Sequence, residues 1–339
     1  MRHLIAALAV TAMTVPAAAQ TETQTDEPAA TTSTEEGGSN AGVKVTPLGS
    51  HDGEFCARDR AVVFEDPNGT RILYDAGRTV AGADDERLGE IDVVLVSHVH
   101  GDHLGDQRIE SVNAGTCDAP DTNVSTTPNS NSAEIAVGKN AQMVTGSEMA
   151  SFLGKKMEAA GGDPKASQLV RFGASVDVGG VKITTVPAVH SNGLSGDFIE
   201  GPLGEYLNTA GLNAYVGPPT GYVLTFSNGL SVYLSGDTGV TAEQETVVAQ
   251  QYGAQLVVIN IGDTYTTGPT EAAFVIDDLI KPASVIPSHA NEKATENGEI
   301  VSGSKTEAFM NAVEADAYLP LSGRTMTFDG EGACTDGCE

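Results

Sequence analysis

The stretch SHVHGDHLGD, residues 97–106, places three histidines and two aspartates within ten positions of a chain that has only seven histidines in all. Imidazole nitrogens and carboxylate oxygens in such a mixture are donors suited to zinc, iron or manganese. His98 and His100 alternate at the end of the apolar run IDVVLVS (91–97), so both side chains can point to one side of a strand. Gly101 permits a sharp turn, and Asp102 and His103 then open the next segment.

The distant histidines follow the same rule. His190 ends the extended run VKITTVPAV (181–189), and His289 ends ASVIPS (283–288). Asp237 ends LSVYLSG (230–236). Four separate strands thus deliver imidazole or carboxylate at their carboxyl ends, the edge where α/β folds assemble their sites. Histidines that only fill a core or face solvent scatter instead. The expectation is a metal centre built from His98, His100, Asp102, His103, His190, Asp237 and His289. Three further positions fit either a site role or a plain structural one. His51, in LGSHDGEF, follows the first strand and suits a supporting or substrate-facing place as well as a surface turn. Asp263 and Tyr265, in NIGDTYTTGP, stand at another strand end and could face substrate, while Asp263 suits equally a cap on the helix at Pro269.

The elements that must position these groups can be read from apolar periodicity. Runs at 43–49, 61–66, 71–77, 91–97, 181–189, 221–226, 230–236, 256–262 and 283–288 read as strands, with Asn-Gly turns at DPNGT (66–70) and SNG (227–229). Helical patterns lie at 104–112, 147–160, 242–252, 269–280 and 305–315, the fourth opened by Pro269 after Gly268. Strands alternating with helices predict a mixed α/β layered fold. Residues 191–219 read as a loop-rich insertion that could serve as a lid.

The N-terminus, MRHLIAALAVTAMTVPAAAQ, has a basic start, a short apolar run and an Ala-Ala-Ala site, which predicts a signal peptide over 1–19 and a periplasmic or secreted protein. Residues 20–42, rich in Thr, Glu, Ser and Gly, predict a disordered acidic linker before one domain spanning 43–339. No stretch is long and apolar enough for a membrane anchor. The chain carries 46 acidic against 18 basic residues, a formal net charge of −28, which excludes nucleic acid as a partner and leaves a small molecule as the expected substrate. Oligomeric state is open. Cys56, Cys117, Cys334 and Cys338 form an even set compatible with one or two disulfides in three full pairings, the last two placed to pin the tail GEGACTDGCE (330–339).

HVHGDH (98–103), with His190, Asp237 in SGDTG (235–239) and His289 following in order, resembles the signature of the metallo-β-lactamase superfamily of metal-dependent hydrolases. GDHLGD (101–106), PAVHSNG (187–193) and GPTEAA (268–273) resemble the subgroup that includes ascorbate-phosphate lactonase and uncharacterised metal-dependent hydrolases. Asp263 and the residues after His289 depart from that subgroup's usual pattern. The resemblance implies an αββα sandwich, two mixed sheets flanked by helices, with two divalent metals, zinc or else manganese, iron or nickel. His98, His100 and His190 would hold one, Asp102, His103 and His289 the other, and Asp237 would bridge them. A shared water of lowered pKa would then attack a carbonyl or phosphoryl centre, with Asp102 orienting it and Asp237 passing a proton to the leaving group. Asp237 argues against a true β-lactamase and fits an ester or lactone hydrolase. A phosphodiesterase of the same fold is the alternative, and a non-catalytic metal-binding protein is the competing class.

Overall fold

The central strands of the protein are buried on both sides, because each of its two sheets is covered on both faces there. The computed structural model describes residues 41–339; the expected signal peptide (1–19) and the linker as far as residue 40 lie outside the described residues. The first sheet is built from β1 (Val43–Leu48), β2 (Ala61–Glu65), β3 (Arg71–Tyr74), β4 (Val93–Leu95), β5 (Gln142–Thr145) and β6 (Ser167–Leu169). The second is built from β7 (Ser175–Val178), β8 (Val181–Pro187), β9 (Thr220–Thr225), β10 (Ser231–Leu234), β11 (Leu256–Asn260), β12 (Ser284–Ser288) and β13 (Asp316–Ala317). The chain then returns to the first sheet with β14 (Met326–Phe328) and β15 (Cys334–Asp336). Spatial order is β15-β14-β1-β2-β3-β4-β5-β6 in one sheet and β13-β12-β11-β10-β9-β8-β7 in the other.

Alternation along each strand assigns its side chains to layers. Val62, Phe64, Val93 and Leu95 of the first sheet meet Tyr222, Leu224, Val232, Leu234 and Val258 of the second in a central core. The alternate residues Val63, Leu73, Val94 and Met143 pack outward against α2 (Asn131–Gly138) and α3 (Met149–Ala159) through Ala133, Ile135 and Leu153. On the far side, Val223, Tyr233, Val257 and Val285 pack against Val248, Ala272, Ile276 and Phe309. These come from the π-helical segments Gln244–Ala249 and Val275–Ile280, and from the later helices at Pro269–Phe274 and Lys305–Ala312. The result is helix, sheet, sheet, helix, the expected αββα sandwich. Each fully buried aliphatic or aromatic side chain in these layers contributes about 1.5–3 kcal/mol.

Polar contacts tie the sheets at opposite ends. Asp66, in the turn after β2, accepts hydrogen bonds from the Ser227 backbone N–H and from Ser227 Oγ, both at 2.7 Å. Tyr222 Oη crosses the central core to the carbonyls of Val96, at 2.7 Å, and Val144, at 3.0 Å.

Three local expectations change. The helix expected over 104–112 is a single turn, α1 (Gly101–Leu104), because Gly105 turns left-handed at φ 80° and bonds back to Gly101. Gln107–Arg108 then pairs with Val124–Ser125 as a short ribbon. The 191–219 stretch is not mainly loop: Gly193–Leu194 pairs with Ala214–Tyr215, and between them stands α4 (Pro202–Ala210). Leu194, Phe198 and Val216 bury it against the α2–α3 layer. The cysteines pair as Cys56–Cys117 and Cys334–Cys338. The second bond closes a small loop within the tail, so the tail is held by β15 pairing with β14 rather than by a cross-link to the body.

Candidate metal centre

The parallel parts of both sheets end at one edge, and the expected ligands stand there. β3, β4 and β5 run parallel in the first sheet, as do β10, β11 and β12 in the second. His98 and His100 follow β4, and Asp102 and His103 lie in α1. His190 follows β8, Asp237 follows β10 and His289 follows β12. His289 has φ 52°, an unusual conformation for a residue other than glycine.

Two groups of donors converge. His98 Nε2 is 3.0 Å from His100 Nδ1, which is 3.3 Å from His190 Nε2. Asp102, His103 and His289 form the second group: Asp102 Oδ2 lies 3.7 Å from His103 Nε2 and 3.4 Å from His289 Nε2. Asp237 stands between them. Its Oδ1 is 3.3 Å from His103 Nε2, while its Oδ2 is 3.2 Å from His289 Nε2, 3.7 Å from His190 Nε2 and 3.8 Å from His98 Nε2. Within each of the triads His98–His100–His190, His98–His103–Asp237 and Asp102–His103–His289, one donor atom per residue lies within 4.8 Å of the others.

Sequence reasoning missed the groups that aim these donors. Asp75, at the end of β3 and buried, accepts from His103 Nδ1 at 2.8 Å and from Ser97 Oγ at 2.7 Å. Having given its only proton to Asp75, Ser97 Oγ accepts from His98 Nδ1 at 3.0 Å. Both rings are therefore held by their Nδ1 atoms with Nε2 turned to the centre, the support that metal-binding histidines ordinarily receive. His100 is turned the other way, with Nε2 bonded to Ser191 Oγ at 3.3 Å. Arg60, itself buried, reaches Asp102 Oδ2 at 3.3 Å and also bonds Asn291. Asn192 ties the 97–103 turn to the second sheet's loops, accepting from Val99 N–H and donating to Gly217, both at 2.9 Å. A signal for Asp75 existed, since it too is a carboxylate at a strand end.

The electrostatics suit a cation. Burial holds His98 well below the usual histidine range, and positive neighbours add to this. His100 and His190 are lowered by burial first. Burial pushes Asp102 and Asp237 up, but His103 and His289 outweigh it and hold both well below the carboxylate range. Burial opposes charge on His103 as well, yet Asp237, Asp102 and Asp75 together raise it. Asp75, Asp102 and Asp237 all lie against His103, and of the three only Asp102 meets a guanidinium, that of the buried Arg60, so the site favours a compensating positive charge. His103 Nε2, His289 Nε2 and Asp237 Oδ1 are also buried with no hydrogen-bonding partner among the described residues. Such orphaned polar atoms cost about 1–3 kcal/mol each unless something occupies them. The donor set and the orphaned atoms fit divalent metal ions.

The remaining expected positions divide. Tyr265 lines the cavity over the centre, 71% exposed. His51 is not on the cavity wall; its Nδ1 bonds its neighbour Ser50 Oγ at 3.1 Å. Asp263 is exposed and is not on the wall either, and its carboxylate accepts from the Thr264 N–H at 2.6 Å. It caps no helix, since the helix at Pro269 starts from Gly268 without a side-chain hydrogen bond.

Residues 59–289 match the family model of the β-lactamase superfamily domain. The chain belongs to the metallo-β-lactamase superfamily. It is 32% identical over 250 residues to a UPF0173 metal-dependent hydrolase of Cupriavidus necator, covering 71% of each chain. Among solved structures it is similar to Igni18, a metallo hydrolase of Ignicoccus hospitalis, at TM-score 0.53 and 20% identity, covering 84% of this chain and 99% of that one. It is also similar to the metallo-β-lactamase fold protein YhfI of Bacillus subtilis, at TM-score 0.52 and 13% identity, covering 84% and 99%. The protein is accordingly a metal-dependent hydrolase. Among its described residues no helix is long and apolar enough to cross a membrane.

Proposed function

We propose that this hydrolase is an exported, dinuclear enzyme that cleaves a small carboxylic ester or lactone. The observation that carries the dinuclear reading is the placing of Asp237, whose two oxygens address both histidine groups at 3.2–3.8 Å. His98, His100 and His190 would hold one divalent ion, and Asp102, His103 and His289 the other, with zinc the natural occupant of so imidazole-rich a set. When bound, such a pair supplies Lewis acidity towards a carbonyl or phosphoryl oxygen and hydroxide near neutral pH.

The chain's own residues do the rest. Asp75 and Ser97 hold the rings of His98 and His103 through their Nδ1 atoms, so that the Nε2 of each is aimed at the centre. Asp102, restrained by Arg60, sits at the cavity wall, where its carboxylate can orient a water. Asp237, also on that wall, is the carboxylate placed to carry a proton towards a leaving alkoxide. A cavity of about 490 Å³ over the centre is of the size that small-molecule sites ordinarily have. Export rests on the basic and apolar pattern of residues 1–19 and on the Cys56–Cys117 bond, of a kind that persists in oxidising compartments.

The test is a panel of zinc-loaded assays on an aryl acetate, an acyl-homoserine lactone, bis-p-nitrophenyl phosphate and a chromogenic cephalosporin. Turnover of the first two, abolished by chelation, is expected. Preference for the phosphodiester would replace the ester reading, and no turnover on any would favour a non-catalytic metal protein.

A further inference from the structure

Among the residues lining the cavity over the metal ligands is one exposed cation, Arg58, without a partner among the described residues. Arg78 on that wall is spent on Asp106, at 2.6 and 2.7 Å, and Arg60 is buried behind Asp102 and Asn291. Arg58 also lines the cavity, yet it makes no hydrogen bond or ion pair among the described residues. Asp118 also lines this cavity without pairing to Arg58. In a chain of net charge −28, with 46 acidic residues available, an unpaired guanidinium facing a cavity is conspicuous.

Its backbone is held in place. Arg58 sits at the tip of the turn Cys56–Asp59, closed by the Asp59 N–H bonding Cys56 O at 3.1 Å and by the Cys56 N–H bonding Asp59 Oδ2 at 2.7 Å. The Cys56–Cys117 disulfide and the bond from Ala57 N–H to Cys117 O, 3.1 Å, clamp that turn to the neighbouring loop. A guanidinium displayed on a clamped turn loses less freedom on binding than one on a loose loop, and its fork matches carboxylate or phosphate geometry.

We propose that Arg58 selects substrates bearing a second, non-reacting anionic group, a carboxylate or phosphate standing away from the bond that is cleaved. This rests on the ester or lactone reading above. The metal-binding edge receives the reacting carbonyl, and Arg58 receives the remote anion.

The experiment compares wild type with Arg58→Gln and Arg58→Lys, using the zinc-loaded full chain. Calorimetric binding of glutarate is measured against butyrate, which has one carboxylate only and so reports the metal centre alone; 3-phosphonopropionate replaces glutarate in a parallel arm to tell phosphate from carboxylate preference. Arg58→Gln is expected to weaken glutarate or 3-phosphonopropionate about tenfold while leaving butyrate unchanged, with Arg58→Lys falling between. The matching kinetic arm expects KM for mono-p-nitrophenyl glutarate to rise about tenfold with kcat retained, and KM for p-nitrophenyl butyrate to stay put. No wild-type preference for the dianions, or equal losses on dianions and butyrate, overturns the proposal. If wild type cleaves neither ester, the ester reading fails, and the binding comparison by itself still decides the role of Arg58.

Discussion

Asp75 Oδ2 accepts a hydrogen bond from His103 Nδ1 at 2.8 Å, across 28 residues of sequence, and the same oxygen accepts from Ser97 Oγ. One buried carboxylate thereby sets the orientation of two inward-facing imidazoles. Asp75→Asn keeps the shape but removes the charge and one acceptor. Zinc affinity, measured by competition with a chelating dye, should fall about 10–100-fold while the protein stays folded. Unchanged affinity would show that His98 and His103 need no such support.

Asp237→Ala removes the one carboxylate that both histidine groups face. Bound metal per chain, read by atomic emission, should drop, and hydrolysis should fall at least about 100-fold, no less than the loss of a supporting residue. Full metal content and full turnover would remove Asp237 from the centre.

Asp59 offers a pH test away from the ligands. Burial raises its carboxyl to about 6, above the ordinary 3.8, despite hydrogen bonds from Cys56 and Ser50. A raised folded pKa means that the native state binds the proton more tightly. Its stabilising contribution is therefore present below pH 3.8 and lost as pH rises through 6. The stability of wild type minus that of Asp59→Asn, from urea melts, should fall by roughly 2 kcal/mol between pH 4 and pH 7. A difference flat across that interval would contradict the raised carboxyl.

The Cys56–Cys117 bond closes a loop of 61 residues, whereas Cys334–Cys338 spans 4. Replacing the first pair by serine should cost on the order of 4 kcal/mol, and the second about half as much, by the chain-entropy relation. Urea melts of the two double variants check the order; a larger loss from the tail pair would reverse it.

How far the sequence foretold this architecture depended on the range of each interaction. The ligand set was legible because its members stand at the ends of apolar runs whose boundaries are local. The layering was legible because residues such as Val93, Val94 and Leu95 leave no polar face on their strand. Asp75 and Arg60 escaped because their partners lie 28 and 42 residues away, and no local period reports such a contact. The 191–219 segment was misjudged for another reason. Its glycines suggested loops, yet Pro202 opens α4 and left-handed Gly211 ends it, a pairing that marks a helix. The strand at Gln142–Thr145 was passed over because four residues carry too little pattern.

The tether from Asp66 to Ser227 has a consequence for the opposite end of the molecule. It joins the two halves of the sandwich at one end, while at the ligand edge Tyr222 and Asn192 join them again through Val96, Val144 and Val99. His98, His100, Asp102 and His103 belong to one half, and His190, Asp237 and His289 to the other. A cation held by donors from both halves would add a third cross-strap to these polar ones, so that metal occupancy and the joint rigidity of the two layers would rise together.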